Sequence, residues 1–260
     1  MDLGLQGKTA IITGGSKGIG LASALALAAE GAQVSIVARN IESLKEAAAL
    51  ISEKTGVEPL IVAADVSVEQ DVHRAVELTM ERFGGIDILI NNAGTSAAKP
   101  FEDVPTETWE ADLDLKLFGA VHFARAVIPC MRKNGGGAIL NVTAIGGKTP
   151  SASSMPTSVS RAAGLALTKA MSKDLAGDNI RVNAVCIGLI RSDQIERMWR
   201  AKAPELTWEQ FATDPSHAIP LGRIGHTEEA AKVITFLVSE AASYVTGTSV
   251  NIDGGKSAVL

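Results

Sequence analysis

Hydrophobic and polar positions along the chain alternate between two patterns. Short apolar runs rich in valine and isoleucine recur between longer segments in which apolar residues return at helical spacing. Strands that alternate with helices in this way are typical of parallel β-α-β units whose sheet is covered on both faces. We therefore predict a single α/β domain over residues 1–260, a doubly wound parallel sheet of about seven strands. The predicted strands are 9–13, 34–37, 60–63, 86–90, 138–142, 180–186 and 249–252.

Two features refine the helical part of this pattern. Ser67 and Thr227 are expected to cap the helices that follow them, because each precedes acidic or amide side chains suited to a first turn. Apolar residues at helical spacing also predict one long helix packed on the sheet; they are Trp109, Leu113, Leu117, Ala120, Ala124 and Val127. Residues 194–211 break the alternation, which predicts an inserted helical flap around 192–215 that could cover a ligand.

Composition narrows the function classes. The chain is 46% hydrophobic and carries a net charge of −5 at pH 7, so it offers no basic field for a nucleic-acid backbone. No apolar run reaches membrane-spanning length, and the N-terminus lacks the charged and apolar regions of a signal peptide. Cys130 and Cys186 are far apart in apolar surroundings, which suits two buried thiols in a reducing compartment. We expect a cytoplasmic protein with a small-molecule substrate.

The segment after the first predicted strand, residues 13–20, reads TGGSKGIG. Gly14, Gly18 and Gly20 permit a tight turn and a close backbone approach, so a pyrophosphate can meet the free amides at the start of the next helix. A structural turn without a ligand is the plainer alternative. The spacing resembles the T-G-x-x-x-G-x-G segment of the short-chain dehydrogenase/reductases, especially the 3-oxoacyl-carrier-protein reductases.

Further motifs in the same order extend this resemblance over nearly the whole chain. They are NNAG at 91–94, IRVN at 180–183, PLGR at 220–223 and DGG at 253–255. The resemblance implies a Rossmann-type fold, a nicotinamide cofactor and a homo-oligomer, either a tetramer or a dimer, that pairs two long helices around 106–131 and 155–176. It also implies that the cofactor contacts Gly14, Ser16, Lys17, Gly18, Ile19, Gly20, Asp65, Val66, Asn91, Ala93, Gly94, Arg161, Ile190 and Ser192.

The residues after the second strand indicate which nicotinamide cofactor is bound. An acid in this region would pair with the ribose 2′-hydroxyl of NAD(H), but the sequence at 38–40 is Ala-Arg-Asn. Arg39 can instead bind a 2′-phosphate, and Lys17 in the glycine segment adds a second cation. NADP(H) is therefore favoured over NAD(H). The alternative is that both are solvated surface cations.

The resemblance fails at the catalytic positions. The family delivers a proton through a Y-x-x-x-K pair on one helix, with a serine and an asparagine nearby, yet the only tyrosine of this chain is Tyr244. Flanking motifs align Thr157 with the tyrosine, Arg161 with the lysine, Ala144 with the serine and Lys116 with the asparagine. All four family catalytic positions are substituted.

Each substitution changes the chemistry. Thr157 is a far weaker acid than a phenol, and Arg161 stays protonated but can anchor a ribose. Ala144 removes a hydroxyl, although Thr143 beside it would reach the site if the backbone were rotated. Lys116 can titrate, and burial near Arg161 would lower its pKa, so we hypothesise that it is the general acid. The alternative is a lysine bonded to solvent or backbone carbonyls.

These features leave three functions open. The first is an NADP(H)-dependent oxidoreductase acting on a carbonyl or alcohol, with an atypical proton-delivery site. The second is an inactive NADP(H)-binding scaffold or sensor, and the third is non-redox chemistry in the former carbonyl pocket. No metal cluster or serine-hydrolase triad is indicated. Met155, Met198, Trp199 and Trp208 suggest an apolar substrate pocket, although core packing explains them equally well.

Overall fold

A computed structural model of the chain describes residues 2–260. Its centre is a seven-stranded parallel sheet in the order β3-β2-β1-β4-β5-β6-β7, so the chain winds outward in both directions from β1 and β4. This architecture confirms the predicted fold class. The strands are β1 (Thr9–Thr13), β2 (Gln33–Ala38), β3 (Leu60–Ala63), β4 (Ile88–Asn91), β5 (Gly137–Ala144), β6 (Ile180–Ile187) and β7 (Ser249–Ile252).

The strand predictions hold to within two residues at each end. One displacement of two residues is at the start of β4, which begins at Ile88 rather than at Ile86. The reason is Asp87, whose side-chain carboxylate accepts the backbone N–H of Thr9 at 2.9 Å. The side chain thus occupies the donor that a longer ladder between β1 and β4 would use.

Helices cover both faces of the sheet, because each presents an apolar stripe to it. On one face lie α1 (Gly18–Ala29), α2 (Ile41–Thr55) and α9 (Thr227–Val238), packed through Leu27, Ile51 and Ile234. On the other lie α3 (Glu69–Phe83), α5 (Gly119–Lys133) and α6 (Thr157–Asp174). Within residues 2–260 no helix combines the length and the apolar character needed to cross a bilayer.

The two predicted N-caps are wrong. Val68 precedes α3, and the Ser67 hydroxyl instead donates to Asp65 Oδ1 at 2.7 Å, which closes the turn after β3. Thr227 is the first residue of α9, and His226 is its N-cap. Glu229 folds back to accept the His226 N–H at 2.8 Å, so the acid satisfies this helix end from inside the first turn.

The long helix predicted around residues 109–127 is interrupted. It comprises α4 (Thr106–Leu113), a π-helical segment (Asp114–Phe118) and α5. A π segment accommodates an extra residue and is frequent at functional sites. Asp112 and Lys116 lie on the buried side of this helix.

The predicted insertion consists of two short helices, α7 (Asp193–Lys202) and α8 (Trp208–Ala212). We call residues 193–212 the α7–α8 segment. It has a small apolar core of its own in which Trp199 and Trp208 meet edge to face at 5.6 Å between ring centroids. The aromatic residues therefore pack against each other instead of lining an apolar substrate pocket, and core packing is the correct interpretation of them.

Candidate active site

The glycine segment joins β1 to α1 at the carboxyl edge of the sheet. Gly14 and Gly18 have φ angles of +63° and +55°, which L-residues with side chains rarely adopt. A Cβ on Gly20 would lie 2.2 Å from the Gly14 carbonyl oxygen. Lys17 at the start of α1 provides no side-chain cap, so the first amides of the helix remain free for an anionic ligand.

A second loop is fixed against this segment by hydrogen bonds. The Thr13 hydroxyl accepts the backbone N–H groups of Asn92 and Ala93 at 2.9 and 3.1 Å. The Asn92 side chain donates to the Thr13 and Gly14 carbonyls at 3.0 and 3.2 Å. The ends of β1 and β4 thus form one rigid wall, at the point where strand order reverses and where ligands bind in doubly wound folds.

Most predicted site residues meet in one open cleft of about 560 Å³ along this wall. Its lining includes Gly14, Lys17, Gly18, Ile19, Arg39, Gly94, Ala144, Thr157, Arg161, Ile190 and Ser192. A neighbouring groove adds Ser16, Asp65, Val66 and Ala93. Gly20 lines neither, since it lies inside the turn, whereas Asn91 and Lys116 line a smaller cavity beneath the cleft.

Two cations lie at the end of the cleft formed by β2. Arg39 directly follows β2; its side chain is 75% exposed and lies 3.9 Å from the Asp65 carboxylate. Lys17 Nζ lies 3.5 Å from an oxygen of Asp193 on α7. Part of the charge of Lys17 is therefore neutralised within the protein, and Arg39 is the freer cation for a phosphate group.

Thr157, the first residue of α6, lies between the cleft and the buried interior. Its hydroxyl oxygen accepts the backbone N–H of Ala97 at 2.9 Å and an N–H of the Lys116 ammonium at 3.2 Å. The Lys116 side chain is only 1% exposed and does not line the cleft. The hydrogen bond of Lys116 to a residue that lines the cleft is thus the one to the Thr157 hydroxyl, a relation that the sequence did not reveal.

Asp112 is the functional residue that sequence reasoning missed. Its Oδ1 accepts a hydrogen bond from Lys116 Nζ, and its Oδ2 accepts the Ser160 hydroxyl at 2.6 Å. Burial and, to a smaller extent, the charge of Arg161 lower the pKa of Lys116 to about 8, against the opposing effect of the hydrogen bond that Lys116 donates to Asp112. The i, i+4 spacing of Asp112 and Lys116 was the available signal.

The guanidinium of Arg161 packs against the loop that carries Gly94. Its Nη1 donates to the Val142 carbonyl at 2.7 Å, and burial lowers its pKa while the charge of Asp112 opposes that shift. A Cβ at Gly94 would lie 2.8 Å from Nη2. Arg161 Nε is buried without a hydrogen-bond partner, so this side chain still has a donor to offer.

The end of β5 provides no replacement for the missing serine. Ala144 lines the cleft with a methyl group. The hydroxyl of Thr143 is buried, donates to the Val185 carbonyl at 3.0 Å and lies 3.2 Å from Cys186 Sγ. In this structure the Thr143 hydroxyl is therefore engaged by β6, although the residue also lines the cleft; that it would reach a substrate after a rotation of the backbone stays a prediction.

These observations fit a dinucleotide. The glycine segment leaves room that side chains would fill, free amides lie at the N-terminus of α1, Arg39 lies at one end, and Arg161 holds an unused donor. Within residues 2–260 no group of three or more histidine, cysteine, aspartate or glutamate side chains is arranged to hold a metal ion. Tyr244 is fully exposed and does not line the cleft.

Comparison with known proteins identifies relatives of the entire chain. A family model described as enoyl-(acyl carrier protein) reductase matches residues 14–257. The 3-oxoacyl-[acyl-carrier-protein] reductase FabG of Thermotoga maritima is 37% identical over 255 residues, which cover 96% of this chain and 98% of that protein.

Two solved structures are informative about the site. L-sorbose reductase from Gluconobacter frateurii, complexed with NADPH and L-sorbose, is 37% identical with a TM-score of 0.93 and full coverage of both chains. A short chain oxidoreductase from Pseudomonas aeruginosa PAO1, described as containing an atypical catalytic center, is 33% identical with a TM-score of 0.95. The match covers 99% of this chain and 100% of that one.

Proposed function

Because the chain belongs to the short-chain dehydrogenase/reductase family, we propose that it is an NADPH-dependent reductase of a small carbonyl compound with a substituted proton-delivery site. The contact that carries the proposal is the 3.2 Å hydrogen bond between Lys116 Nζ and Thr157 Oγ1. It connects a buried acid with a pKa of about 8 to the hydroxyl of a residue that lines the cleft. An acid with a pKa near the working pH is well suited to proton transfer.

The hydrogen bonds that the Thr157 hydroxyl accepts determine the direction in which a proton would be transferred. The hydroxyl oxygen already accepts two N–H groups, so its own hydrogen is free to point into the cleft. Nicotinamide, when bound, supplies a hydride to the carbonyl carbon. Thr157 donates its proton to the carbonyl oxygen, and Lys116 replaces that proton in the same movement, so no threonine alkoxide accumulates. Lys116 ends neutral beside Asp112.

NADPH is preferred over NADH in this proposal. Arg39 replaces the acid that would bind a ribose 2′-hydroxyl, and its exposed guanidinium suits a 2′-phosphate. Arg161, whose Nε has no hydrogen-bond partner in the protein, would anchor a ribose hydroxyl. The NADPH complexes of the Gluconobacter and Pseudomonas proteins support the same cofactor.

The α7–α8 segment is proposed as the substrate flap. Gln194 at its start accepts the Ser96 backbone N–H at 3.3 Å, and Ile195 and Arg197 line the cleft beside it. The segment thus already closes one side of the site.

A homo-oligomer is proposed through the two long helices, because Phe118 and Val159 there are 46% and 41% exposed. Light scattering of the purified protein tests that association.

An NADP(H)-binding scaffold without turnover is the second candidate. Ala144 presents only a methyl group to the cleft, and the Thr143 hydroxyl beside it already donates to the Val185 carbonyl. Transition-state stabilisation is weaker as a result. This observation favours a protein that binds the nucleotide as a scaffold or as a sensor and does not turn it over.

Turnover distinguishes the two candidates. NADPH oxidation would be followed with L-sorbose, levodione and acetoacetyl-CoA for the wild type, for Lys116→Gln, and for a variant combining Ala144→Ser, Thr157→Tyr and Arg161→Lys. If the protein is a reductase, the wild type turns over and Lys116→Gln does not. Glutamine can still donate a hydrogen bond to Asp112 but cannot release a proton. Tight NADPH binding with turnover only in the triple variant would establish the scaffold instead.

A further inference from the structure

Asp112 is a carboxylate enclosed where α4 meets α6. Its side chain is 2% exposed, and both of its oxygens accept hydrogen bonds, one from Lys116 and one from Ser160. A buried charge is tolerated only when it is paired and hydrogen-bonded in this way. Neither Asp112 nor Ser160 lines the open cleft, so both act on the site only through other side chains.

The surroundings of Lys116 contain few charges. Asp112 faces it from α4 and Arg161 faces it from α6. The other residues that line the cavity beside Lys116 are uncharged, among them Asn91 and Asn141. The protonation of Lys116 is therefore governed by one anion that holds the proton and by one cation, together with burial, that releases it.

Ser160 controls how strongly that anion holds the proton. Its hydroxyl lies 2.6 Å from Asp112 Oδ2 and 3.0 Å from the Thr157 carbonyl, and a hydroxyl has a single hydrogen to donate. The shorter contact, to a charged acceptor, takes that hydrogen. A donor to a carboxylate stabilises its negative charge and makes it a weaker base.

We propose that Asp112 and Ser160 are positioning residues for proton delivery: Asp112 holds the Lys116 ammonium against the Thr157 hydroxyl, and Ser160 sets how tightly the carboxylate retains it. The inference rests on the proposed role of Lys116 as the proton source. Its consequence is that changes at the two residues move the titration of Lys116 in opposite directions. If Asp112 and Ser160 served only in packing, the two substitutions would not shift the titration of Lys116 in opposite directions.

The directions follow from electrostatics. Asp112→Asn removes the only anion beside Lys116, so the pKa of the lysine falls and less of the ammonium form remains at neutral pH. Ser160→Ala removes a donor from Asp112, so the carboxylate becomes more basic and the pKa of Lys116 rises. Each shift should be about one pH unit, the size expected when one charge-assisted hydrogen bond is lost.

The titration of Lys116 can be followed without turnover. Protein labelled with ¹³C-lysine and saturated with NADPH would be titrated by NMR, and the Cε signal of Lys116 would be identified by its loss in Lys116→Gln. Ser172→Ala is the matched control: it removes another buried α6 hydroxyl, one that donates to the carbonyl of Lys169 in its own helix. We expect the signal to titrate near pH 8 in the wild type and control, lower in Asp112→Asn and higher in Ser160→Ala.

The pH dependence of NADPH oxidation is the second readout, with whichever of L-sorbose, levodione and acetoacetyl-CoA is reduced fastest. Reduction requires protonated Lys116, so kcat falls above its pKa, and this limb should shift in the same directions as the NMR titration. Unchanged titration in the Ser160→Ala protein, which loses only a hydroxyl, would overturn the inference even if Asp112→Asn fails to fold. Opposite NMR shifts without any turnover would uphold the positioning network while removing the reductase proposal.

Discussion

The two ends of the cleft are built from different parts of the chain. At the nucleotide end the decisive groups are backbone: glycine φ angles, free amides of α1, and carbonyls bonded by Asn92. At the end proposed for proton delivery they are side chains contributed by α4, the π-helical segment and α6. A backbone site tolerates few sequences, because any Cβ at Gly20 displaces the turn. A side-chain site can be rebuilt from other residues while the fold stays unchanged.

The largest expected effect is at the junction of the two ends. Thr157→Val keeps the shape of the side chain but removes the hydroxyl that connects Lys116 to the cleft. We expect kcat for carbonyl reduction to fall about 100-fold or more, the usual contribution of general acid catalysis, with the Kd for NADPH unchanged. Steady-state kinetics and fluorescence titration measure the two quantities. Thr157→Ser restores the hydroxyl and should restore kcat; wild-type kcat in Thr157→Val would exclude the relay.

A substitution at Gly20 tests the backbone end. In Gly20→Ala the new methyl group would meet the Gly14 carbonyl and force the turn to move. Displacing packed backbone costs about 1–3 kcal/mol, so the Kd for NADPH should rise up to about 100-fold. Gly177→Ala is the control, because a Cβ there meets nothing within 4 Å. Equal affinities in the two variants would show that the turn does not hold the cofactor.

Arg39 tests whether a side chain at the nucleotide end selects the cofactor. Arg39→Ala should raise the Kd for NADPH about 10- to 100-fold and leave that for NADH nearly unchanged, because only NADPH has a 2′-phosphate to lose a charged partner. Lys17→Ala should have a smaller effect, since Lys17 already pairs with Asp193. Parallel titrations with both nucleotides provide the measurement. A loss shared by NADH would assign Arg39 to another part of the cofactor.

The smallest expected effect is on stability and comes from the exposed ion pair between Arg223 and Glu229. It serves as a comparison for the buried pair between Lys116 and Asp112. Hydrogen bonds from Arg223 and from the His226 N–H lower the pKa of Glu229 from 4.5 to about 2. Its stabilising contribution is therefore present above about pH 4.5 and is lost as the pH falls toward 2. Glu229→Gln should cost less than about 1 kcal/mol at pH 7, because the pair is largely solvated.

Thermal unfolding of wild type and Glu229→Gln at a series of pH values measures this contribution. The difference in Tm should shrink on acidification. A difference that grew at low pH would contradict the assignment of the ionised carboxylate as the stabilising form.

Sequence patterns predicted what depends on local residues. The apolar runs located each strand because they form the centre of a sheet covered on both faces, and the glycine segment located the turn after β1. Ser67 failed as a cap because its hydroxyl had a nearer partner in Asp65. Such competition between short-range hydrogen bonds is not visible in a sequence.

The proton-delivery network was out of reach for a different reason. Asp112 and Ser160 are 48 positions apart, and only the packing of α4 against α6 brings them together. The alignment of motifs located Thr157, Arg161 and Lys116, yet it could not show that Lys116 lies behind Thr157. The burial that lowers the pKa of Lys116 is likewise a property of the fold, although its sign was predictable.

The apolar core of the α7–α8 segment has an optical consequence. Two of the three tryptophans of the chain, Trp199 and Trp208, lie in it, and the Trp199 indole N–H donates to the Leu206 carbonyl at 3.0 Å. The single tyrosine is fully exposed and lines none of the grooves described above. Intrinsic emission excited at the indole band therefore reports mainly on this segment. A movement of this proposed flap on ligand binding would therefore be followed in a stopped-flow instrument without attaching a dye.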